Sequence, residues 1–332
     1  MSRFAWSETQ DSVEWDDFVT RNRGSIFHLW AWRKVLESDG SRPLYLACRD
    51  GNGTIIAVCP FFYSSGRHLL YLDSLPESNA AGPIIGEQVS DLKEIVVSLR
   101  KSVKFTPFNP VAAMRIKTVR KEAIEPMLGL GFKHEAMHGL LTIDLQKETP
   151  EEIWSHGFQK HDRQAVKYYE QSGKGFALSS SEADFRRYLT LQRGSTIHGN
   201  DLAVFVSRLR QNLGDSLKVA STTFGDEVVA GVLMLCDRSI SCIHLSIMRF
   251  SPTKNIHSAV TYLDWEVANW ARENGFGYID LGSYPISAVS GPGHHFYKLR
   301  MRFKAALEVR YQFVLPTSSI SYSIAKRISR VF

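Results

Sequence analysis

Residues 260–314 constrain the fold more than any other stretch of this chain. A helix-type run at 260–274 ends in Gly275-Phe276-Gly277, and the short apolar run Tyr278-Ile279-Asp280-Leu281 leads to Gly282. A loop with Gly291, Pro292, Gly293, His294 and His295 follows. After it come Phe296-Tyr297-Lys298-Leu299-Arg300-Met301-Arg302-Phe303-Lys304 and a last strand-type run at 307–314. A helix that passes through glycine straight into a strand, with a second strand beyond a glycine loop, is a pattern of α/β architecture.

The same order of elements occurs twice. In the first half, helical patterns at 12–20 and 27–36 precede strand-type runs at 44–49 and 54–63, which are joined by Asp50-Gly51-Asn52-Gly53. That tetrapeptide is a hairpin turn because Gly and Asn tolerate positive φ. A further strand is expected at 68–73. In the second half, strands are expected at 217–222, 228–236 and 241–247. Each half then closes a helical run on Gly-Phe before a strand, at Gly131-Phe132 and at Gly275-Phe276. We read this as duplication of one fold. The expected division is a domain over 1–147, a second over 148–316, and a basic amphipathic tail over 317–332. Thr149-Pro150-Glu151-Glu152 marks the junction as a helix start, with Thr as N-cap, Pro in the first turn and Glu completing a capping box. A helical stretch is expected from there to Gln171, broken near Gly157.

The chain's 332 residues suit two domains of ordinary size, and 44% hydrophobic with 22% charged residues speaks against disorder or a coiled coil. No apolar run reaches the roughly eighteen residues that a spanning helix needs, and the first residues lack the apolar core of a signal peptide. The expected location is cytoplasmic, with contact at the inner membrane surface through the tail, where Ile320, Ile324, Ile328 and Val331 form one apolar stripe beside Lys326, Arg327 and Arg330. A terminal helix docked on its own domain is the favoured reading of that stripe. Cys48, Cys59, Cys236 and Cys242 form no CxxC pair and sit in apolar runs, so they read as small core residues, and no metal site is expected. A net charge of +6 and a pI near 9.1 suit phosphate-bearing partners.

Several side chains are candidates for chemistry. Lys160, Arg163 and Lys167 fall on one helical face and would hold a phosphate or RNA backbone, unless they are simply a solvated face. Lys298, Arg300, Arg302 and Lys304 alternate with apolar residues after the glycine loop, where backbone can approach a ligand closely. Asp280 ends a strand, where a carboxylate serves as a base, orients an amine, or caps the next turn. His244 and Tyr284 are candidate cavity residues at strand ends, with core packing as the alternative. Asn255 stands where the long helix begins, as a cap or as a polar contact to a donor. The chain carries no Walker A, GxSxG or dinucleotide-binding glycine motif, which removes the ATPase, serine hydrolase and Rossmann classes. The spaced Gly-x-Gly loop of CoA-dependent acetyltransferases is also missing, since Arg49-Asp50-Gly51-Asn52-Gly53 has the wrong spacing.

The block from 260 to 314 resembles the C-terminal signature of FemAB-like transferases, which are built from tandem GNAT-type domains. The likeness is best over 154–314. Trp32-Arg33-Lys34-Val35 resembles part of the family's opening motif; Leu36 stands where peptidoglycan-branching members carry Lys, and Ala305-Ala306 stand where Phe-Gly is common. The resemblance implies two GNAT-like domains, each a mixed β-sheet flanked by helices. It implies transfer of an acyl or aminoacyl group to an amine or hydroxyl of a cell-envelope precursor, with no tightly bound cofactor. The donor would be aminoacyl-tRNA or acyl-CoA, and the acceptor phosphate-bearing or lipid-linked. It implies that Lys304 neutralises charge during transfer, that Asn255 lies near the donor, and that Arg163, with Lys160 and Lys167, binds phosphate. Arg302 joins this substrate-binding set. Two alternatives remain at this point: an acyl-CoA-dependent N-acyltransferase of polysaccharide or lipid-linked glycan synthesis, and a non-catalytic RNA or membrane binder on the same fold.

Overall fold

A computed structural model describes residues 4–37, 41–66, 69–75, 82–87, 89, 92–102, 111–118, 121–172, 175–193, 202–251, 256–285 and 301–316. The chain forms two compact units, one of residues 1–138 with 309–332 and the other of residues 139–308. The break expected at 147/148 therefore lies inside the second unit. The last strand, Ala306–Pro316, pairs antiparallel with Val111–Thr118 from Tyr311↔Thr118 to Pro316↔Ala113, although sequence order groups it with the second half. A strand's partner is set by which edge is open in three dimensions, which sequence order does not record.

In the first unit the strands run in the order Ala5–Glu8, Arg42–Arg49, Ile55–Gly66, Leu69–Ser74, Val111–Thr118 and Ala306–Pro316. The hairpin forms at the expected tetrapeptide: Asp50 Oδ1 accepts from the Asn52 and Thr54 N–H groups at 2.9 and 3.0 Å, and Gly53 has φ +83°. Leu69–Ser74 and Val111–Thr118 run parallel, joined by a crossover that includes the helix Leu92–Ser102. Phe61, Leu72, Met114 and Phe313 from the strands meet Ile95 and Leu99 of that helix in one core.

The second unit repeats the principle. Its strand order is Lys133–Asp144, Tyr278–Pro285, Cys242–Phe250, Glu227–Asp237, Leu217–Phe224 and Phe176–Ser179. Alternation divides the two faces. Ala230, Val232, Met234 and Cys236 join Val166, Tyr169, Leu263 and Val267 in a core beneath the helices Lys160–Gln171 and Ile256–Glu273. The intervening Gly231 faces the other way, against Tyr188 of the helix Glu182–Thr190. Each buried aliphatic side chain contributes roughly 1.5–3 kcal/mol, so this two-sided burial fixes the strand register. The Thr149 N-cap forms as expected, with Glu152 N donating to Thr149 Oγ1 at 3.2 Å and Thr149 N to Glu152 Oε2 at 2.8 Å. The short helix Pro150–Glu152 passes into a π-turn, Ile153–Gly157, and Gly157 ends it. A Cβ on Gly157 would stand 1.9 Å from the Arg302 carbonyl oxygen, so only glycine fits there.

Candidate active site

Two parallel strands of the second unit pair over three residues and then part. Cys242–Phe250 and Tyr278–Pro285 are in register at Cys242↔Tyr278, Ile243↔Ile279 and His244↔Asp280. Beyond that point each strand is distorted for its own local reason. On one, Ser246 and Ile247 together face the single residue Leu233 of the neighbouring strand, a β-bulge that re-aims the backbone. On the other, Gly282 adopts φ +97° and its N–H donates to Asp280 Oδ1 at 2.8 Å, bending the chain. The Asp-Leu-Gly sequence thus supplies both the acceptor and the residue that can make the bend. Farther along, Gln192–Arg193 pairs with Arg249 and Phe250 on the edge the departing strand leaves. Between these pairings the edge of residues 245–248 has no strand partner among the described residues. A backbone edge left open between parted parallel strands can accept an extended, amide-bearing ligand arm as an added strand.

His244 and Asp280 mark the apex of this opening. His244 Nδ1 is 2.8 Å from Asp280 Oδ2, and His244 Nε2 is 3.5 Å from Asp237 Oδ2. All three side chains are buried. Asp237 Oδ1 in turn accepts from the Ser239 N–H and hydroxyl at 3.1 and 2.6 Å. Burial works against a charged imidazole, but the hydrogen bonds and charges of Asp237 and Asp280 outweigh it and push His244 up to about 9. At neutral pH this is an imidazolium between two carboxylates. Tyr284 donates its hydroxyl proton to the Leu281 carbonyl at 2.6 Å, and burial followed by the charge of Asp280 pushes its phenol upward.

Among the other residues expected at a site, Arg302 is buried with its Nη2 2.6 Å from Asp162 Oδ1 and its Nη1 3.5 Å from Asp264 Oδ2. Burial, reinforced by the charge of Asp162 and opposed by Arg302, pushes the Asp264 carboxyl up to about 7. Arg302 therefore ties the helices Lys160–Gln171 and Ile256–Glu273 to the segment before the last strand. Lys304 follows with φ +47°, its ammonium paired with Glu148 and its side chain 59% exposed. Arg163 donates to the carbonyls of Trp154, Ser155 and Phe158, closing the π-turn, whereas Lys160 and Lys167 are exposed. The three cations thus share a helix but not a surface. Asn255 lies outside the described residues, as do 291–300 and the tail 317–332.

Sequence reasoning missed Asp237, Asp162, Asp264 and Glu148. In sequence Asp237 precedes Arg238 at the end of an apolar run, Asp162 lies inside a basic run, and Asp264 within a largely apolar helix. Only the fold brings each against its cation. An unpaired acid in an apolar helix was the one visible signal.

Residues 157–299 match the model of an acetyltransferase (GNAT) domain. No curated protein sequence matches the chain. Among solved structures it is similar to FemX, with 12% identity over 93% of this chain and 97% of that one at a TM-score of 0.67. It is similar to the C-terminal domain of a putative lysylphosphatidylglycerol synthetase from Agrobacterium fabrum, with 15% identity over 98% of this chain and 97% of that one at a TM-score of 0.60. It is also similar to a tandem GNAT protein from the clavulanic acid biosynthesis pathway, with 8% identity over 95% and 99% at 0.59. At such identities the likeness speaks for the fold, which is the mixed α/β fold expected from the sequence. In fold the chain is similar to these tandem GNAT structures, and residues 157–299 match a GNAT acetyltransferase domain.

Proposed function

We propose that the chain is an acyltransferase that moves an activated acyl group to an amine or hydroxyl acceptor, and that the donor arm lies along the open edge of residues 245–248. The observation that carries this reading is the parting of the two parallel strands immediately after His244 and Asp280, within the segment that matches an acetyltransferase domain. An acyl-CoA donor suits that edge, because its extended arm carries amides able to pair with backbone groups there other than the Ile247 carbonyl, which accepts from the Tyr188 hydroxyl at 2.6 Å. In the reaction the acceptor nitrogen or oxygen bonds to the acyl carbon, the bond to the leaving sulfur breaks, and the acceptor's proton ends on the leaving thiolate. His244 sits between Asp237 and Asp280 and holds both carboxyl groups at the apex, where Asp280 orients the acceptor. Lys304 supplies the cation once its pair with Glu148 opens.

An aminoacyl-tRNA donor is the second reading. The exposed Lys160 and Lys167 and the net charge of +6 favour a polyanionic partner. The similarity to a lysylphosphatidylglycerol synthetase supports a phosphate-bearing or lipid-linked acceptor at a membrane surface. Thiol release from acetyl-CoA and longer acyl-CoAs, measured beside deacylation of aminoacyl-tRNA with a panel of amines, separates the two. Acceptor-dependent thiol release is the expected result, and tRNA deacylation alone assigns the second donor. Neither reaction, with no ligand raising the melting temperature, overturns the transferase reading.

A further inference from the structure

Away from the parted strands, three side chains of metal-ligating type converge where two helices begin. His161 and Asp162 lie in the first turn of Lys160–Gln171, and His257 in the first turn of Ile256–Glu273. One ligand atom from each lies within 4.8 Å of the others. His161 Nε2 is 3.1 Å from Asp162 Oδ1, and the two imidazole rings are 5.7 Å apart between centroids. His257 Nδ1 is 3.4 Å from the buried Thr261 Oγ1, a contact that restrains the ring. Asp162 is itself held, with Oδ2 accepting from the Gln159 N–H at 3.2 Å and Oδ1 facing Arg302. The set therefore has the supporting contacts that orient first ligands in metal sites.

Charge decides between a cation and an anion here. The helix N-termini alone favour an anion. Behind them, however, two buried carboxylates, Asp162 and Asp264, share the single guanidinium of Arg302. Among the described residues, Arg302 is the buried cation that these two carboxyl groups share. A divalent ion on Asp162 adds a second cation to the cluster and leaves Arg302 to Asp264. Two imidazoles and one carboxylate suit zinc-class ions, since magnesium and calcium prefer all-oxygen shells.

We propose that His161, Asp162 and His257 form a binding site for a zinc-class divalent cation, which staples the first turns of the two helices and leaves a fourth position to solvent. His161 is 55% exposed and His257 is exposed, so the site is reached from solvent without unfolding. The four cysteines are buried and do not compete for the ion.

The test uses the full chain, freed of metal with chelator and titrated with Zn2+ or Co2+ while melting temperature, bound metal and the visible spectrum of Co2+ are recorded. One equivalent bound, a raised melting temperature and a Co2+ spectrum with nitrogen ligands are expected. His161→Ala and His257→Ala, both exposed, should fold with unchanged metal-free melting temperatures and weaken binding by more than about tenfold each. His156→Ala, in the preceding turn, should bind as the parent does. No stoichiometric binding, or binding that survives both His161→Ala and His257→Ala, overturns the proposal. Loss of binding in His156→Ala alone also overturns it, by placing the ion elsewhere.

Discussion

His244 Nδ1 and Asp280 Oδ2 lie 2.8 Å apart on the last register pair that two parallel strands share before they separate. The contact is buried, and Asp237 faces the imidazole from its other side. One hydrogen-bonded pair therefore marks where the sheet opens and sets the charge found there.

The imidazole makes stability fall with pH. Its folded value, about 9, lies above its ordinary 6.5, so the folded state binds the proton more tightly. The contribution is complete below about pH 6.5 and is lost as pH rises through about 9, a difference on the order of 3 kcal/mol. His244→Ala leaves two buried carboxylates without their cation and should cost about 3–5 kcal/mol at pH 6.5. Denaturant unfolding of parent and variant at pH 6 and pH 9.5 checks both statements. A gap between them that does not shrink at the higher pH contradicts the assignment.

Gly282→Ala should damage the opening itself. With φ +97°, a side chain at this position strains the bend by about 1–3 kcal/mol. Relief of that strain straightens the strand toward Cys242–Phe250 and narrows the edge proposed for the donor. Loss of acyl-donor binding in a variant that still unfolds cooperatively is the expected result, read by thermal shift with acyl-CoA.

Two glycines separate packing from conformation. Gly157→Ala drives a methyl group into the Arg302 carbonyl and should destabilise by about 1–3 kcal/mol or more. Gly51→Ala meets nothing within 4 Å and should stay within about 0.5 kcal/mol of the parent. Side-by-side melting curves test the contrast.

Asp264 titrates in the same direction for a different reason. Its carboxyl, pushed up to about 7 from an ordinary 3.8, favours the folded state when protonated, and that stability fades as pH rises from about 4 through 7. Asp264→Asn cannot ionise and should show a flatter profile over that range, with its relative stability greatest near pH 8. Asp162→Asn removes both the contact 2.6 Å from Arg302 and the cap on Gln159 N, so it should destabilise at every pH tested. If the two variants follow the same pH profile, the division of roles is wrong.

Lys304→Met tests catalysis apart from folding. The Lys304 side chain is 59% exposed and that of Glu148 17%, so the pair should be worth about 1 kcal/mol. If the ammonium stabilises charge in the reaction, turnover should fall by roughly a hundredfold or more with the melting temperature nearly unchanged. Unchanged thiol release removes Lys304 from the site.

Local chemistry was readable in advance. The Asp50–Gly53 turn, the Thr149–Glu152 capping box, and the Gly131 and Gly275 helix ends at φ +87° and +75° each depend on residues within a few positions of one another. So does the bend after Asp280, where the residue two places on supplies the N–H. These contacts are short in sequence, and residue type almost dictates them.

The sequence alone pointed to an α/β chain of two similar halves, the places where helices stop and strands begin, and a second half that resembles GNAT-type domains. Tertiary structure decided which charges meet. It paired His244 with both Asp237 and Asp280, set Arg302 between Asp162 and Asp264 across 140 and 38 residues, and put the last strand beside Val111–Thr118. It also turned Arg163 onto backbone carbonyls and left Lys160 and Lys167 to solvent. The reason is physical: periodicity records which face of an element is apolar, whereas the partner of a buried charge depends on which distant element packs against that face.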